Sequence, residues 1–423
     1  MRWLMVFMAF SATAINYIDR ANLAVASEYI KTDLGLTDAQ TGYLLGAFFW
    51  TYALFQLPSG WFIDRVGARI AYAVAVVWWS SFTAAAYLAQ SFAALFGTRL
   101  LLGVGEAPAY PTNAKIVSEW FPRRERALAT SIFDSGNRVG NALTLPIVSA
   151  IITVYGWRMS FVITGAIGFV WTVVWLLVYK PPVQHPWVSA QERAYIESDQ
   201  PPAATGRSGE GVRWRDLFRH RIIWGMMMGF FCLNFVIYFF STWFPTYLKR
   251  ARGFDLKMMG SVGMIPALVA VFGGYLGGYI SDRLVRSGMP LSKARKIPLV
   301  GGMAMSSCIA LSVFVENNAV ALGLMSLSWA SLSFAAASIW SLPADVAPTK
   351  DHVGSIGGIQ NFASNLAGVC ISAFVGKMLD AKGGFGVPLL VAGSFSLLGA
   401  FAYLVIVPEI RPIQMPEREE GVS

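Results

Sequence analysis

The stretch Gly60-Trp-Phe-Ile-Asp64-Arg65-Val-Gly67-Ala-Arg69 joins two long apolar segments of the chain. A related stretch, Gly278-Tyr-Ile-Ser-Asp282-Arg283-Leu-Val-Arg286, joins two more about half a chain length later. A second, weaker pair follows in the same order, Glu119-Trp-Phe-Pro122-Arg123 and Asp345-Val-Ala-Pro348-Thr349. Two charged loops that recur in the same order between apolar segments indicate a helical bundle that has been duplicated.

Composition places the chain in a membrane. Of its 423 residues 55% are hydrophobic and only 13% are charged, against roughly 25% charged in soluble domains. Apolar segments of about 20 residues can cross a hydrocarbon core, and they must be helices because lipid leaves backbone groups no other partner. Twelve are predicted, at residues 3–27, 40–63, 69–89, 92–116, 127–151, 157–180, 221–248, 257–282, 296–315, 318–343, 353–378 and 386–408.

The long polar connection at 181–220 divides these segments into two sets of six. We predict an all-α membrane protein with an N-terminal six-helix bundle at 1–180, a cytoplasmic linker at 181–220, a C-terminal bundle at 221–410 and a cytoplasmic tail at 411–423. The bundles, called here the first half and the second half, are expected to be pseudo-symmetric. The linker is expected to hold a short surface helix within 188–199, and the tail to be disordered. Parallel repeats with a site between them are a design of secondary transporters, so the chain is predicted to move a solute.

The net charge of +9 comes from basic residues spread over alternate loops, not from one patch. This bias predicts a multi-pass protein of the inner (plasma) membrane with both termini in the cytoplasm, and it argues against a nucleic-acid partner. One predicted outer loop is an exception to this bias, because it is basic. It contains Lys249, Arg250, Arg252 and Lys257. Either it draws anions towards an outer mouth, or it is simply solvated.

Cofactor and enzyme chemistry find no support in the sequence. The three cysteines, Cys232, Cys308 and Cys370, lie far apart in apolar segments and are expected to be free packing residues. The three histidines lie at loops or helix ends, and no metalloprotease or nucleotide-binding motif is present. We therefore expect no metal, no cofactor and no enzymatic activity.

Glycine pairs spaced four apart predict close helix contacts inside the membrane. They are Gly42/Gly46, Gly136/Gly140, Gly274/Gly278 and Gly354/Gly358.

Six charged residues lie within apolar segments of the first half, where each costs several kcal/mol unless it has a partner or a purpose. They are Asp19, Arg20, Arg99, Glu106, Asp134 and Arg138. One interpretation is that they neutralise each other and set helix register, which the i,i+4 spacing of Asp134 and Arg138 already permits. The other is functional. An arginine released from its acid can bind an anion, and the acid left behind then favours a proton.

The second half carries polar and aromatic residues in its spans where the first half carries charges. They are Asn234, Tyr238, Ser241 and Thr242, then Ser338 and Trp340, then Gln360, Asn361, Ser364 and Asn365. Facing a cavity, such groups suit a polyhydroxylated ligand. The alternative is that they satisfy neighbouring helix backbones.

The paired Gly-x-x-x-Asp-Arg loops and the run Arg99-x-x-x-Gly-x-Gly-Glu106 resemble the major facilitator superfamily. More narrowly, Asn16-Tyr17-Ile18-Asp19-Arg20-Ala-Asn-Leu and Gly103-Val-Gly105-Glu106-Ala-Pro108-Ala-Tyr-Pro111 resemble the anion:cation symporter family. The resemblance implies proton-coupled uptake of an organic anion by a monomer, with a sugar acid (aldonate, aldarate or hexuronate) as substrate. Other carboxylates such as tartrate or phthalate, and a proton-driven exporter, remain alternatives.

The same resemblance implies roles for individual residues. Arg20 would bind the substrate carboxylate beside Tyr17 and Tyr52, and Asn137 would contact the sugar acid. Trp340 and Asn361 would close the far side, where Ser364 shares a polar face with Asn361. Asp19 and Glu106 would carry protons, with Arg99 the partner of Glu106. Asp64, Arg65, Asp282 and Arg283 would form cytoplasmic gates. Arg138 departs from the galactonate-like pattern, and it either faces the cavity and favours a dicarboxylate, or only pairs with Asp134.

Overall fold

The structure, a computed structural model, describes residues 1–197, 217–348 and 353–413. These residues form sixteen α-helices joined by short loops and 3-10 turns, and no strand occurs among them. In chain order they are α1 Arg2–Leu34, α2 Asp38–Ala85, α3 Phe92–Glu106, α4 Ala109–Trp120, α5 Arg123–Tyr155, α6 Trp157–Val178, α7 Ala190–Glu197, α8 Arg221–Thr242, α9 Phe244–Arg252, α10 Leu256–Val262, α11 Ile265–Arg286, α12 Leu291–Ser306, α13 Asn318–Ile339, α14 Leu342–Val346, α15 Val353–Lys382 and α16 Gly386–Phe401.

Helix breaks account for the difference between twelve predicted spans and these helices. The second and third spans both lie in α2, whose direction changes at Gly67, where φ is 78° and ψ is 158°. A left-handed φ of this kind costs a glycine little, since it has no Cβ. The fourth span is divided between α3 and α4, next to Pro108. Two further spans are divided just before Pro245 and Pro266, prolines at the start of α9 and α11, where the missing N–H is tolerated.

Nine helical segments of the described chain are long and apolar enough to cross a membrane. The predicted spans missing from this set are the first, the second and the fourth. The first contains Asn16, Asp19 and Arg20, and the fourth contains Arg99 and Glu106 and is broken at Pro108. Their polarity belongs to the interior of the protein, since Asn16, Asp19, Arg99 and Glu106 are all buried.

Small residues bring helices into close contact within and between the halves. A Cβ added at Gly136 or Gly140 of α5 would meet backbone oxygens of Phe10 or Ala14 in α1 at 2.5 Å. A Cβ at Gly42 of α2 would lie 2.4 Å from the Ser372 oxygen in α15, so this contact joins the two halves. These two predicted pairs are confirmed as packing sites.

Of the other two predicted glycine pairs, Gly274/Gly278 needs correction, and the contacts of Gly354 lie outside the part that the structure describes. In α11 the close contacts are made by Gly273 and Gly277 against backbone atoms of α13, each at 2.2 Å, while Gly278 has only loose contact. The predicted pair is thus shifted by one residue, which turns its face by about 100° around the helix. Gly358 has open space beside it because it lies at a cavity wall.

The parts outside the membrane are only partly described. The short surface helix predicted within 188–199 is α7, and Glu192 on it accepts a hydrogen bond from the amino group of Met1 at 2.9 Å. Residues 198–216 of the linker, 349–352 with Thr349 and His352, and the tail from 414 lie outside the described residues. The three cysteines are free, as predicted.

Candidate functional site

A cavity of about 620 Å³ lies between the two halves. All seven residues predicted to contact a substrate line it: Tyr17, Arg20, Tyr52, Asn137, Trp340, Asn361 and Ser364. They come from α1, α2, α5 and α15 and from the turn after α13. The tertiary structure therefore brings one predicted set, scattered over most of the chain, into a single site.

Arg20 is the central cation of the first-half wall. Its guanidinium carbon lies 4.9 Å from the ring centre of Tyr17, 4.2 Å from that of Phe48 and 4.5 Å from that of Tyr52. Such aromatic faces stabilise a desolvated cation. Its Nε donates to Oε2 of Glu106, and neither Nη makes a hydrogen bond within the described chain. The guanidinium of this cavity-lining residue therefore has donors that no group of the described chain uses.

A buried polar cluster lies behind Arg20, away from the cavity. Asp19, Arg99 and Glu106 are all less than 2% exposed. None of the three side-chain nitrogens of Arg99 has a hydrogen-bond partner in the described chain. Asp19 interacts electrostatically with both Glu106 and Arg99, and the Arg99 guanidinium lies 5.0 Å from the ring centre of Phe161. Unsatisfied buried ions are rare enough to demand an explanation.

The expected pairing of Arg99 with Glu106 differs from the structure. Glu106 forms its ion pair with Arg20 of α1. The sequence placed Arg99 and Glu106 on one face of one helix, but their separation along that helix leaves room for a side chain from α1 to reach the carboxylate first.

A second polar group lies on the α5 side of the cavity. Oδ1 of Asp134 accepts hydrogen bonds from the Tyr110 hydroxyl and the Asn137 amide, each at 3.2 Å. Arg138 Nη1 lies 3.6 Å from Asp134 Oδ2. Both members of this pair also line the cavity. The two interpretations of Arg138 are therefore compatible, because it contacts Asp134 and faces the cavity at once.

The second-half wall combines polar and apolar side chains and carries no charge among its described residues. The hydroxyls of Tyr238 and Ser364 lie 3.2 Å apart, and Asn361 donates to Gln56 of the first half at 2.9 Å. Asn365 bonds the backbone of its own helix. Trp340 packs edge-on against Phe230 and is otherwise exposed to the cavity.

Sequence reasoning missed several lining residues. Gln56, Tyr110, Asn141 and Trp329 all face the cavity. Asn141 could have been found, since it follows Asn137 by one helical turn and donates to its carbonyl. Gln56 and Trp329 carry no such signal, because only the rotation of their helices in the bundle turns them inward.

Ion pairs between the halves close the predicted outer end. Arg250 of the second half donates to Glu28 at 2.7 Å and to both oxygens of Asp38 at 2.7 and 3.0 Å, and Lys31 also donates to Asp38. Asp380 in turn accepts from the backbone N–H groups of Asp38 and Ala39 at 2.8 and 2.7 Å, at the start of α2. We call the cluster of Glu28, Lys31, Asp38, Arg250 and Asp380 the outer clamp.

The outer clamp changes the interpretation of the basic outer loop that contains Arg250 and Arg252. Arg250 is held between two carboxylates, and Arg252 donates to the carbonyls of Ser312 and Val315. Burial raises the pKa of Asp38, but hydrogen bonds from Arg250 and Lys31 outweigh it and hold that pKa below its ordinary value. Neither sequence-based alternative is correct for these two arginines, since their charges are used in contacts within the protein.

The four predicted gate residues lie at the opposite end, where the described ion pairs stay within one half. Asp64 accepts from Lys115 at 3.0 Å, and Arg65 lies over the ring of Trp61. Asp282 lies 3.5 Å from Arg295, while Arg283 donates to Tyr279 at 3.1 Å. None of these contacts joins the first half to the second. In the described chain, no group of three or more metal-ligating side chains is found.

The match to a family model settles what kind of protein this is. The model described as Major Facilitator Superfamily matches residues 9–372. The chain belongs to this superfamily. Membership confirms the predicted superfamily and twelve-helix fold, and it makes the chain a multi-pass membrane transporter, not an enzyme.

Individual relatives of the superfamily cover nearly the whole chain. The "D-galactonate transporter" of Escherichia coli O6:H1 (strain CFT073) is 37% identical, with 97% of each chain covered. The "Probable galactarate/D-glucarate transporter GarP" of Escherichia coli K12 is 34% identical over 98% of this chain and 96% of its own. The "Hexuronate transporter" of Bacillus subtilis 168 is 33% identical, covering 96% and 94%.

A solved structure with a similar fold supports this architecture. It is a bacterial homologue of the human lysosomal transporter Spinster in an inward-facing, unoccupied conformation. Its TM-score is 0.73 at 20% identity, with 96% of this chain and 94% of that chain covered.

Proposed function

We propose that this protein takes up a sugar acid (an aldonate, aldarate or hexuronate) together with protons. The carrying observation is Arg20, a permanent cation in the cavity wall that is paired with a buried acid and has unused donors. Relatives whose names specify galactonate, galactarate or glucarate, and hexuronate transport support the substrate class.

The cavity has groups for both parts of such a substrate. The guanidinium of Arg20 offers a planar fork that matches a carboxylate. Hydroxyl and amide groups of Tyr238, Ser364, Asn361 and Asn137 surround the remaining space and can hydrogen-bond substrate hydroxyls. The predicted substrate-contact roles of Tyr17, Tyr52 and Trp340 belong to this proposal as aromatic walls.

The pairing of Arg20 with Glu106 supports the proposed proton coupling. A substrate carboxylate that binds Arg20 competes with Glu106 for the same donors. Glu106 is fully buried, and a buried carboxylate without its partner costs several kcal/mol. Taking up a proton removes that cost. Asp19 is the second proton site in this proposal, and Arg20 and Arg99 together balance the charge of the two acids.

Alternating access supplies the transport step. The outer clamp joins the halves at one end, while the described pairs of Asp64, Arg65, Asp282 and Arg283 stay within their own halves at the other. With the predicted topology, the cavity of this structure faces the cytoplasm. We propose that the 1–180 and 221–410 bundles rock about the site, with the four gate residues closing the inner end, in a monomer of the plasma membrane with cytoplasmic termini.

The test is uptake by right-side-out membrane vesicles. With an inward proton gradient imposed, vesicles containing the protein should accumulate radiolabelled galactonate, galactarate or glucuronate above vesicles lacking it. A protonophore should abolish the accumulation. Uptake that only equilibrates and ignores the proton gradient would contradict the coupling, and loss of label from preloaded vesicles driven by the gradient would support the exporter instead.

A further inference from the structure

Arg138 and Asp134 form a second arginine–acid pair in the same cavity wall. The pair is looser than the first, at 3.6 Å, with side chains 25% and 24% exposed. Asp134 already accepts two hydrogen bonds from Tyr110 and Asn137. Oδ1 of Asp134 is therefore satisfied without the arginine, while Oδ2 faces the arginine only at ion-pair distance, and the donors of Arg138 make no hydrogen bond in the described chain.

The spacing of the two arginines follows from the contact between α1 and α5. Gly136 packs against Phe10 and Thr13, and Gly140 packs against Ala14 and Tyr17, so the helices run parallel in a known register. Arg138 of α5 is therefore level with a position in α1 about six residues before Arg20. At 1.5 Å per residue their backbones are separated by about 9 Å along the helix axes. Two long side chains that face one cavity can hold the ends of a short chain between them.

Arg138 also reaches towards the second half. A Cβ added at Gly274 of α11 would lie 3.5 Å from its Nη2 and 3.6 Å from its guanidinium carbon. The guanidinium thus lies between the halves, where a substrate enclosed by both would meet it. A residue that served only to neutralise Asp134 would have no need to reach the second half.

We propose that Arg138 binds a second carboxylate, so that the preferred substrate is a dicarboxylic sugar acid with one end at Arg20 and the other at Arg138. This inference rests on the proposed function and narrows its substrate class. Each carboxylate then has its own guanidinium fork, the pairing that arginine favours. The polar groups between the forks, Tyr110 and Asn137 among them, lie where the substrate's hydroxyls pass. A monocarboxylic acid of the same length leaves Arg138 without its ligand.

The experiment compares acids of one carbon skeleton that differ only at C6. Galactarate and galactonate are titrated by calorimetry into the full-length purified protein, its Arg138→Gln variant and its Arg138→Lys variant. The wild type should bind galactarate more tightly. Arg138→Gln should lower the galactarate-to-galactonate affinity ratio by about 30-fold or more, as expected for loss of one desolvated charged contact. Arg158→Gln, which removes an arginine paired with Asp33 away from the cavity, is the matched control and should leave the ratio unchanged.

The outcomes separate this inference from the proposed function. If the wild type binds neither acid nor glucuronate, the proposed function fails. If it binds both acids equally, or if Arg138→Gln changes both affinities by the same factor, only this inference is overturned. Should Arg138→Gln fail to fold, Asp134→Asn decides, because it removes the competitor and keeps the arginine. The galactarate-to-galactonate affinity ratio should then rise, and an unchanged or lower ratio would contradict a second carboxylate site.

Discussion

The two halves of the protein face one cavity but line it with different chemistry. Every charged residue among the described lining positions, Arg20, Asp134 and Arg138, comes from the first half. The second half contributes hydroxyls, amides and aromatic rings. Its own ion pairs lie at helix ends, as with Arg250 in the outer clamp and Arg295 beside Asp345. A duplicated bundle has thus kept its architecture while the halves diverged in what they carry.

The difference indicates a division between charge and shape, in which the first half supplies charged contacts and the second half encloses the substrate with neutral groups. In the proposed mechanism, ions in the first half exchange partners when a charged substrate arrives, and this exchange would link substrate binding to proton uptake. The second half can enclose the substrate at a smaller desolvation cost, since neutral groups are less costly to bury than ions. Five predictions test this comparison.

Arg20→Ala should have the largest effect. It removes the fork that we assign to the substrate carboxylate, and loss of a desolvated charged contact costs about 2–5 kcal/mol. Binding of a sugar acid should fall by about 30-fold at the least in calorimetry. Arg20→Lys keeps the charge without the fork and should also bind weakly.

The control for Arg20 is the double variant Arg20→Ala with Glu106→Gln. It avoids leaving Glu106 buried and unpaired, so its thermal stability should exceed that of the single variant. Normal sugar-acid affinity in the double variant would show that the carboxylate site lies elsewhere.

Glu106→Gln should separate binding from coupling. The amide keeps the shape of the side chain but cannot titrate, so gradient-driven accumulation should be lost while binding or exchange persists. Uptake assays in proteoliposomes with and without a proton gradient measure both. Unchanged accumulation with an unchanged pH profile would move the coupled proton to another residue.

Asp38→Asn should open the outer end. It weakens a charged contact that joins the halves, and hydrogen bonds to charged groups contribute about 1.5–3 kcal/mol each. The population open at that end should rise by about tenfold or more, seen as longer distances between spin labels on the exposed residues Thr32 and Lys257. Asp33→Asn, an exposed acid whose described partners, Trp157 and Arg158, lie in its own half, should leave the distances unchanged.

The pH dependence of the outer clamp has a definite sign. The pKa of Asp38 lies below its ordinary value in the closed clamp. Ionised Asp38 therefore stabilises the closed clamp fully at pH values above its ordinary pKa of about 3.9. This stabilisation is lost as the pH falls through the lowered pKa. The label distances should stay constant from pH 5 to pH 8 and lengthen only in stronger acid. If the outer end opened near neutral pH, a titratable group other than Asp38 would control its opening.

Asn361→Ala should have the smallest effect. It removes one neutral hydrogen bond to Gln56 and one possible contact to substrate, worth about 0.5–1.5 kcal/mol. Affinity should fall by no more than about tenfold. Ser326→Ala, a buried serine that bonds its own helix outside the cavity, is the control. A loss as large as that of Arg20→Lys would contradict the division between charge and shape.

The sequence by itself determined the fold and much of the site. Runs of apolar residues set the number of spans, the repeated Asp-Arg loops indicated the duplication, and misplaced charges such as Arg20 and Glu106 marked the half with the ionic chemistry. All seven predicted contact residues line the cavity, although their roles and those of the proton and gate residues stay predictions. These signals are local, because a charge in lipid needs an explanation wherever its helix packs.

The tertiary structure decided which groups meet. It paired Glu106 with Arg20 and not with Arg99, and it turned Gly273 and Gly277 towards α13. It also brought Arg250 to Asp38 across the halves and placed Arg138 between Asp134 and the cavity. Each of these depends on the rotation and the neighbours of a helix, and those are set by packing against every other helix at once. Periodicity along one segment shows which residues share a face, but only the assembled bundle shows what that face contacts.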